Sequence, residues 1–325
     1  MEEVFFEHRT DLQELRHSVD QLKAEIGKVI VGQENMIELL LAAILSDGHV
    51  LIEGVPGVAK TLTAKLLSKS IAVGFSRIQF TPDLMPSDVI GTSLYNPQET
   101  TFQFRHGPIF SNIVLIDEIN RAPAKTQAAL FEVMEERQVT VDGQTYKLDA
   151  PFLVVATQNP VEQEGTYHLP EAQLDRFLFK INVNYPTLEE EFRIVMNHHQ
   201  SNLVTMIEQV HEVITAAKIE ELRVQVRRIQ VEEKLVHFIT TVVATTRTHK
   251  SIYLGASPRA SIGILNGSKA LAAMRGRDFI TPDDIIAIIP SVLRHRIVLM
   301  PEKEMEGATP DEVISQIVQS IEVPR

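Results

Sequence analysis

The chain has 325 residues, of which 44% are apolar and 23% charged, and its 31 basic and 43 acidic side chains give a formal charge of −12. That composition is typical of a folded globular protein with one large domain or two unequal ones. Its acidic balance argues against a surface built to neutralise nucleic-acid phosphates. With no cysteine, disulfides, Cys-ligated zinc and thiol nucleophiles are excluded together, which fits a cytoplasmic location. The opening "MEEVFFEHRT" is acidic where a signal peptide needs a basic segment. The longest apolar run, Met36 to Leu45, is about half a membrane span and contains Glu38.

In chain order, residues 11–45 are predicted as two helices, because Leu12, Leu15, Val19, Leu22 and Ile26 recur at spacings of three and four. "GHVLIEG" follows as a buried strand. A helix over 60–69, strands over 76–80 and 112–117, a helix over 124–136, and strands over 152–157 and 177–183 come next. Short two-sided apolar strands alternating with helices imply a parallel sheet covered on both faces. Two insertions interrupt the alternation. One is Leu84 to Phe110; the other is residues 138–148, where Asp142-Gly143 between β-favouring residues predicts a tight hairpin. Beyond Pro186 only helices are predicted, at about 187–200, 206–220, 232–248, 258–274 and 282–296. The expected domains are therefore 1–186 and 187–325, with a short amphipathic helix at the C-terminal end.

"GVPGVAKT", residues 54–61, follows the first strand and opens a helix. A triphosphate needs converging backbone N–H groups, a helix N-terminus, a lysine for the outer phosphates and a hydroxyl for Mg²⁺. Gly54 and Gly57 allow the tight turn, while Lys60 and Thr61 supply the ammonium and the hydroxyl. Ala59 stands where the general pattern has glycine. Because it precedes Lys60 at a helix start, it is expected to be right-handed, with a small cost for its methyl group. Asp117 and Glu118 end the strand "NIVLID", at the edge where parallel sheets bind ligands. Asp117 is suited to complete a metal shell with Thr61, and Glu118 to activate water.

Three further residues fit an anionic ligand. Asn159 ends the strand before Pro160, where it either holds water or forms a turn. Arg176 precedes the last strand. Arg259 sits in the first turn of a helix capped by Ser257, where a cation opposes the helix dipole unless an anion is near. The adjacent His198 and His199 point in different directions on a helix and are expected at the solvent surface.

The stretches "GVPGVAKT", "IVLIDEINRAPAKTQAALFEVMEERQVTVDG", "VVATQNPVEQEGTYHLPEAQLDRF" and "LGASPRAS", followed by "LRHRI", resemble the MoxR family of AAA+ ATPases. The resemblance covers nearly the whole chain in the family order. It implies an α/β/α core with a five-stranded parallel sheet of order 5-1-4-3-2, β-hairpin insertions and a smaller all-α lid. ATP and Mg²⁺ are the implied ligands. Residues 54–62 (Gly54, Val55, Pro56, Gly57, Val58, Ala59, Lys60, Thr61 and Leu62) look like the nucleotide loop, and "VIVGQ" around Val31 like the segment that packs on adenine. Asp117 with Glu118 resembles Walker B, Asn159 sensor 1, and Arg259 sensor 2. Arg176 looks like the arginine finger that reaches a neighbouring subunit, with Arg121 as the other candidate. MoxR-like proteins commonly carry Ala at the place of Ala59. The resemblance further implies a ring, usually a hexamer, that remodels a protein client such as a von Willebrand factor A domain protein. A DNA-directed motor or transcriptional regulator is the alternative, opposed by the −12 charge.

Overall fold

The structure is a computed structural model describing residues 11–324, apart from residues 56, 160–166, 168 and 201. The segment 1–10 and Pro56 of the phosphate loop therefore lie outside the described residues. We number the strands of the central sheet β1 (His49–Gly54), β2 (Phe75–Gln79), β3 (Ile113–Asp117), β4 (Leu153–Gln158) and β5 (Phe177–Val183). They pair in the order β2-β3-β4-β1-β5, every pair parallel. This is the expected 5-1-4-3-2 sheet. All of β3 and nearly all of β1 and β4 are buried, as strands covered on both faces must be. The edge strands β2 and β5 keep exposed or half-buried positions.

The sheet buries a core in which Phe131 meets Phe177 edge to face at 5.8 Å between centroids. His49 is one of the polar residues buried with it, 3% exposed at the start of β1. Its Nδ1 accepts from the Val154 N–H at 3.0 Å, so its Nε2 must carry the proton that meets the Met134 carbonyl at 3.1 Å. A neutral imidazole thereby satisfies two buried backbone groups.

Two insertions leave this frame. The first is a short helix, Pro86–Ile90, followed by an antiparallel hairpin of Gly91–Asn96 and Thr101–His106. The second pairs Gln138–Val141 with Gln144–Lys147, and its turn residues Asp142 and Gly143 have φ of 50° and 77°. Two positive φ values match the right-handed strand twist, the reason Asp-Gly signals a hairpin. Phe104 of the first hairpin packs on Tyr146 of the second at 4.5 Å, and Ser93 donates to Asp142.

The chain forms two compact units, 21–220 and 221–325 with the described residues 11–20. The sheet unit continues past Pro186 because its later segments are tied to the helix after β1. Lys69 Nζ donates to the Ile207 carbonyl at 2.6 Å, and the Val213 N–H donates to Ser70 O at 2.8 Å. Where one helix over 206–220 is expected, the chain forms Leu203–Glu208 and then Ala216–Arg227, with an irregular stretch between them.

The second unit is built on the helices Glu233–Thr246, Pro258–Met274, Pro282–Leu293 and Pro310–Ser320. Ser257, Thr281 and Thr309 each precede a proline at a helix start. The hydroxyl residue suits the N-cap, and proline suits the next position, where no N–H is needed. The unit is not purely helical: Ile252–Leu254 pairs with Val298–Leu299. Asp284, fully buried, accepts from Arg275 at 2.9 Å and from Arg277 at 2.6 and 2.7 Å. Among the described residues, no helix is long and apolar enough to cross a membrane.

Candidate functional site

The site begins where β1 passes through residues 55–59 into the helix Lys60–Ser70. Gly54 is needed for packing, since a Cβ there would lie 2.6 Å from the Val183 carbonyl of β5. Gly57 has space around it but a φ of 86°, so it is needed for conformation. Ala59 is left-handed, with φ 59° and ψ 19°, which corrects the right-handed geometry expected from the sequence. The reason is that Ala59 is the N-cap and not the first helical residue. Its carbonyl accepts from the Thr63 N–H at 2.9 Å and from Thr63 Oγ1 at 3.0 Å, while its own torsions still belong to the loop. Alanine in that region costs about 1–2 kcal/mol, and the buried Thr63 helps to hold it there. Between Gly57 and Ala59, Val58 is not left-handed. Such alternation makes successive N–H groups converge into an anion-binding concavity.

Lys60 folds back over this loop, its Nζ donating to Gly54 O at 2.6 Å. Burial lowers the pKa of the Lys60 ammonium, opposed by the negative charges of Asp117, Glu118 and Glu53. Glu53 is itself ion-paired with Lys180. Thr61 is the second residue of the same helix.

The acidic pair stands at the C-terminal end of β3. Asp117 is 7% exposed; its Oδ2 accepts from Arg77 Nε at 2.6 Å and its Oδ1 from the Thr157 hydroxyl at 3.1 Å. Glu118 is left-handed at φ 57°, so the chain turns away directly after the strand. Its carboxylate accepts from Gln79 Nε2 at 2.7 Å and pairs with Arg121 Nε at 3.1 Å, while its N–H donates to Thr157 Oγ1 at 3.1 Å. Arg77, Gln79 and Thr157 were not singled out from the sequence. What places them there is strand order, because β2 and β4 flank β3. Gln79 is registered with Asp117, and Ile116 with Ala156, one residue before Thr157.

Asn159 follows β4 directly and is half-buried at this same edge. Arg176 is placed elsewhere. It precedes Phe177, which is registered with His49 at the start of β1, so a strand length of about 20 Å separates it from the phosphate loop. Its guanidinium donates to Phe131 O and lies 3.9 Å from Glu135. Arg259 lies in the second unit, in the first turn of Pro258–Met274, with its N–H on Ser257 Oγ at 3.2 Å.

Beside the loop is a cavity of about 270 Å³, just under the roughly 300 Å³ at which small-ligand sites begin. Val31, Val58, Ala59 and Leu62 line one side; Ile194, Asn197 and His198, on one face of the helix Leu188–Gln200, line another. His198 is solvent-exposed, as expected, and also borders the cavity.

A family model for the ATPase family associated with various cellular activities (AAA) matches residues 49–179, and an AAA lid domain model matches residues 244–317. The chain is 44% identical to Chaperone MoxR1 of Mycobacterium tuberculosis, over 95% of this chain and 83% of that protein. The chain belongs to the MoxR family of AAA+ ATPases. YeaC of Bacillus subtilis, an uncharacterized protein, is 47% identical over 92% of both chains. A crystal structure from Cytophaga hutchinsonii superposes on this MoxR-family chain with a TM-score of 0.90 at 42% identity, over 97% of each chain. The α/β/α AAA+ core and the helical lid are thus shown by family, fold and structural neighbour together. Nucleotide binding follows for the family as a whole.

Proposed function

We infer that this chain hydrolyses ATP and uses the resulting motion to remodel a protein partner. The observation that carries the reading is the convergence at one sheet edge of a phosphate loop with positive φ at Gly57 and Ala59, of Lys60 and of the Asp117-Glu118 pair. Around it, Val31 and residues 54–62 bind nucleotide, with the adenine in the adjoining cavity. Thr61 and Asp117 offer hard oxygen donors. Two such ligands are too few for a metal cage, and they suit Mg²⁺ held largely through phosphate oxygens. When bound, Mg²⁺ would offset the charge that develops on those oxygens.

Within this chain, the N–H groups of the loop and Lys60 hold the outer phosphates in line. Glu118 takes a proton from the attacking water, and Asn159 orients that water or the γ-phosphate. Arg259, in the first turn of Pro258–Met274, takes the sensor 2 role that the family resemblance implies. Arg176, anchored a strand length from its own loop, completes the site of a neighbouring copy in a hexameric ring. Arg121 already neutralises Glu118 in its own chain, which favours Arg176 for that role. The name Chaperone MoxR1 supports a protein client, and a von Willebrand factor A domain protein suits the family. The acidic charge weighs against a nucleic-acid partner and fits a cytoplasmic enzyme that does not act on membranes.

The test is phosphate release from ATP. Wild type should turn over with a rate per chain that rises with protein concentration, while Glu118→Gln should bind ATP and retain it. A Glu118→Gln protein as active as wild type would overturn the reading.

A further inference from the structure

We propose that Arg77 is a positioning residue that sets how tightly the site takes up a divalent metal, by competing for the charge of Asp117. The inference rests on the reading of Asp117 as a metal-facing carboxylate. Both oxygens of Asp117 are engaged: Oδ2 by Arg77 Nε at 2.6 Å and Oδ1 by the Thr157 hydroxyl at 3.1 Å. The two partners are not equivalent. Thr157 is a buried neutral donor whose hydroxyl also receives the Glu118 N–H, so its geometry is fixed. The Arg77 side chain is 55% exposed, against 10% for that of Asp117, so in any rearrangement the guanidinium is the group with room to move.

β2 carries one restraint on each member of the acidic pair. Arg77 and Gln79, two residues apart, point to the same side of the strand. They hold Asp117 and Glu118 respectively, and Arg77 Nη2 also reaches Gln79 Oε1 at 3.4 Å. A guanidinium on Asp117 draws off part of the negative charge that would otherwise attract a cation. A nucleotide–metal complex therefore meets a carboxylate already shared, and Arg77 must weaken or leave its bond for the full charge to be available. A strand-end ion pair that only stabilised β2 against β3 would affect folding and leave metal affinity alone.

The experiment is Mn²⁺ binding to the full chain with saturating ADP, read from the free-Mn²⁺ electron paramagnetic resonance signal. Wild type is compared with Arg77→Met and Arg77→Gln, and thermal melting is followed in parallel. Both variants should bind Mn²⁺ about 1.5- to fivefold more tightly, the range for a partly exposed ion pair. Equal or weaker binding in both variants overturns the proposal, as does weaker binding in Arg77→Met that Arg77→Gln restores, which would mark orientation and not charge competition. If wild type binds ADP but no Mn²⁺, the metal reading of Asp117 fails and this proposal with it. If ADP itself does not bind, the nucleotide reading fails first.

Discussion

Replacing Ala59 by glycine tests the local geometry on which the phosphate loop depends. Ala59 has φ 59° and ψ 19°, a region that costs an L-residue about 1–2 kcal/mol and glycine almost nothing. Glycine loses more freedom on folding, which returns roughly 0.5–1 kcal/mol. The difference predicts that Ala59→Gly stabilises the nucleotide-free protein by about 0.5–1 kcal/mol. At a slope of about 2 kcal/mol per molar, the urea midpoint should rise by about 0.3–0.5 M. A right-handed Ala59 inside the helix would give the opposite sign, because glycine in a helix costs about 1 kcal/mol against alanine. Equilibrium urea unfolding without nucleotide distinguishes the two. A lower midpoint for Ala59→Gly refutes the left-handed geometry. Ala59→Val supplies the converse, since a β-branched residue is poorly tolerated there and should lower the midpoint.

Three other substitutions probe the frame. Gly54→Ala places a methyl 2.6 Å from the Val183 carbonyl and should cost about 1–3 kcal/mol in the same assay by forcing β1 from β5. His49→Leu strands the Val154 N–H and the Met134 carbonyl in the core and should cost about 2–4 kcal/mol. Burial works to raise the Asp284 carboxyl, but its bonds from Arg277 and Thr281 prevail and hold its pKa below the usual value. A carboxylate lowered in the folded state stabilises above its unfolded pKa and loses that contribution as pH falls through the folded one. Circular dichroism should therefore show no contribution from Asp284 to the pH dependence of unfolding between pH 8 and 5, and a loss below about pH 4. Asp284→Asn should remove part of that acid dependence and cost about 3 kcal/mol at neutral pH.

The fold was legible because its signals are local. Fully apolar strands such as Val114 to Ile116, the Asp142-Gly143 turn and the Ser257-Pro258 helix start each specify their geometry within a few residues. The acidic pair was legible for the same reason, as charge at the end of an apolar strand. What the sequence hid depends on register and handedness. Arg77, Gln79 and Thr157 become neighbours of the acids only once β2 and β4 flank β3, and strand order is not written in any single segment. Ala59 was misjudged because proximity to Lys60 suggested helical torsions, whereas the N-cap keeps the torsions of the loop. His198 is exposed as expected, but its adjacency to His199 says nothing about the cavity that Ile194 and Asn197 border with it.

The central claim is that the site of one chain is completed by Arg176 of another, and mixing two variants tests it most directly. Glu118→Gln and Arg176→Ala should each hydrolyse ATP poorly alone, for different reasons. In mixed assemblies, an intact Glu118 from one variant meets an intact Arg176 from the other at some interfaces, so activity should return in part when the two are combined. An Arg176→Ala protein as active as wild type, or a mixture no more active than its separate components, would contradict the account.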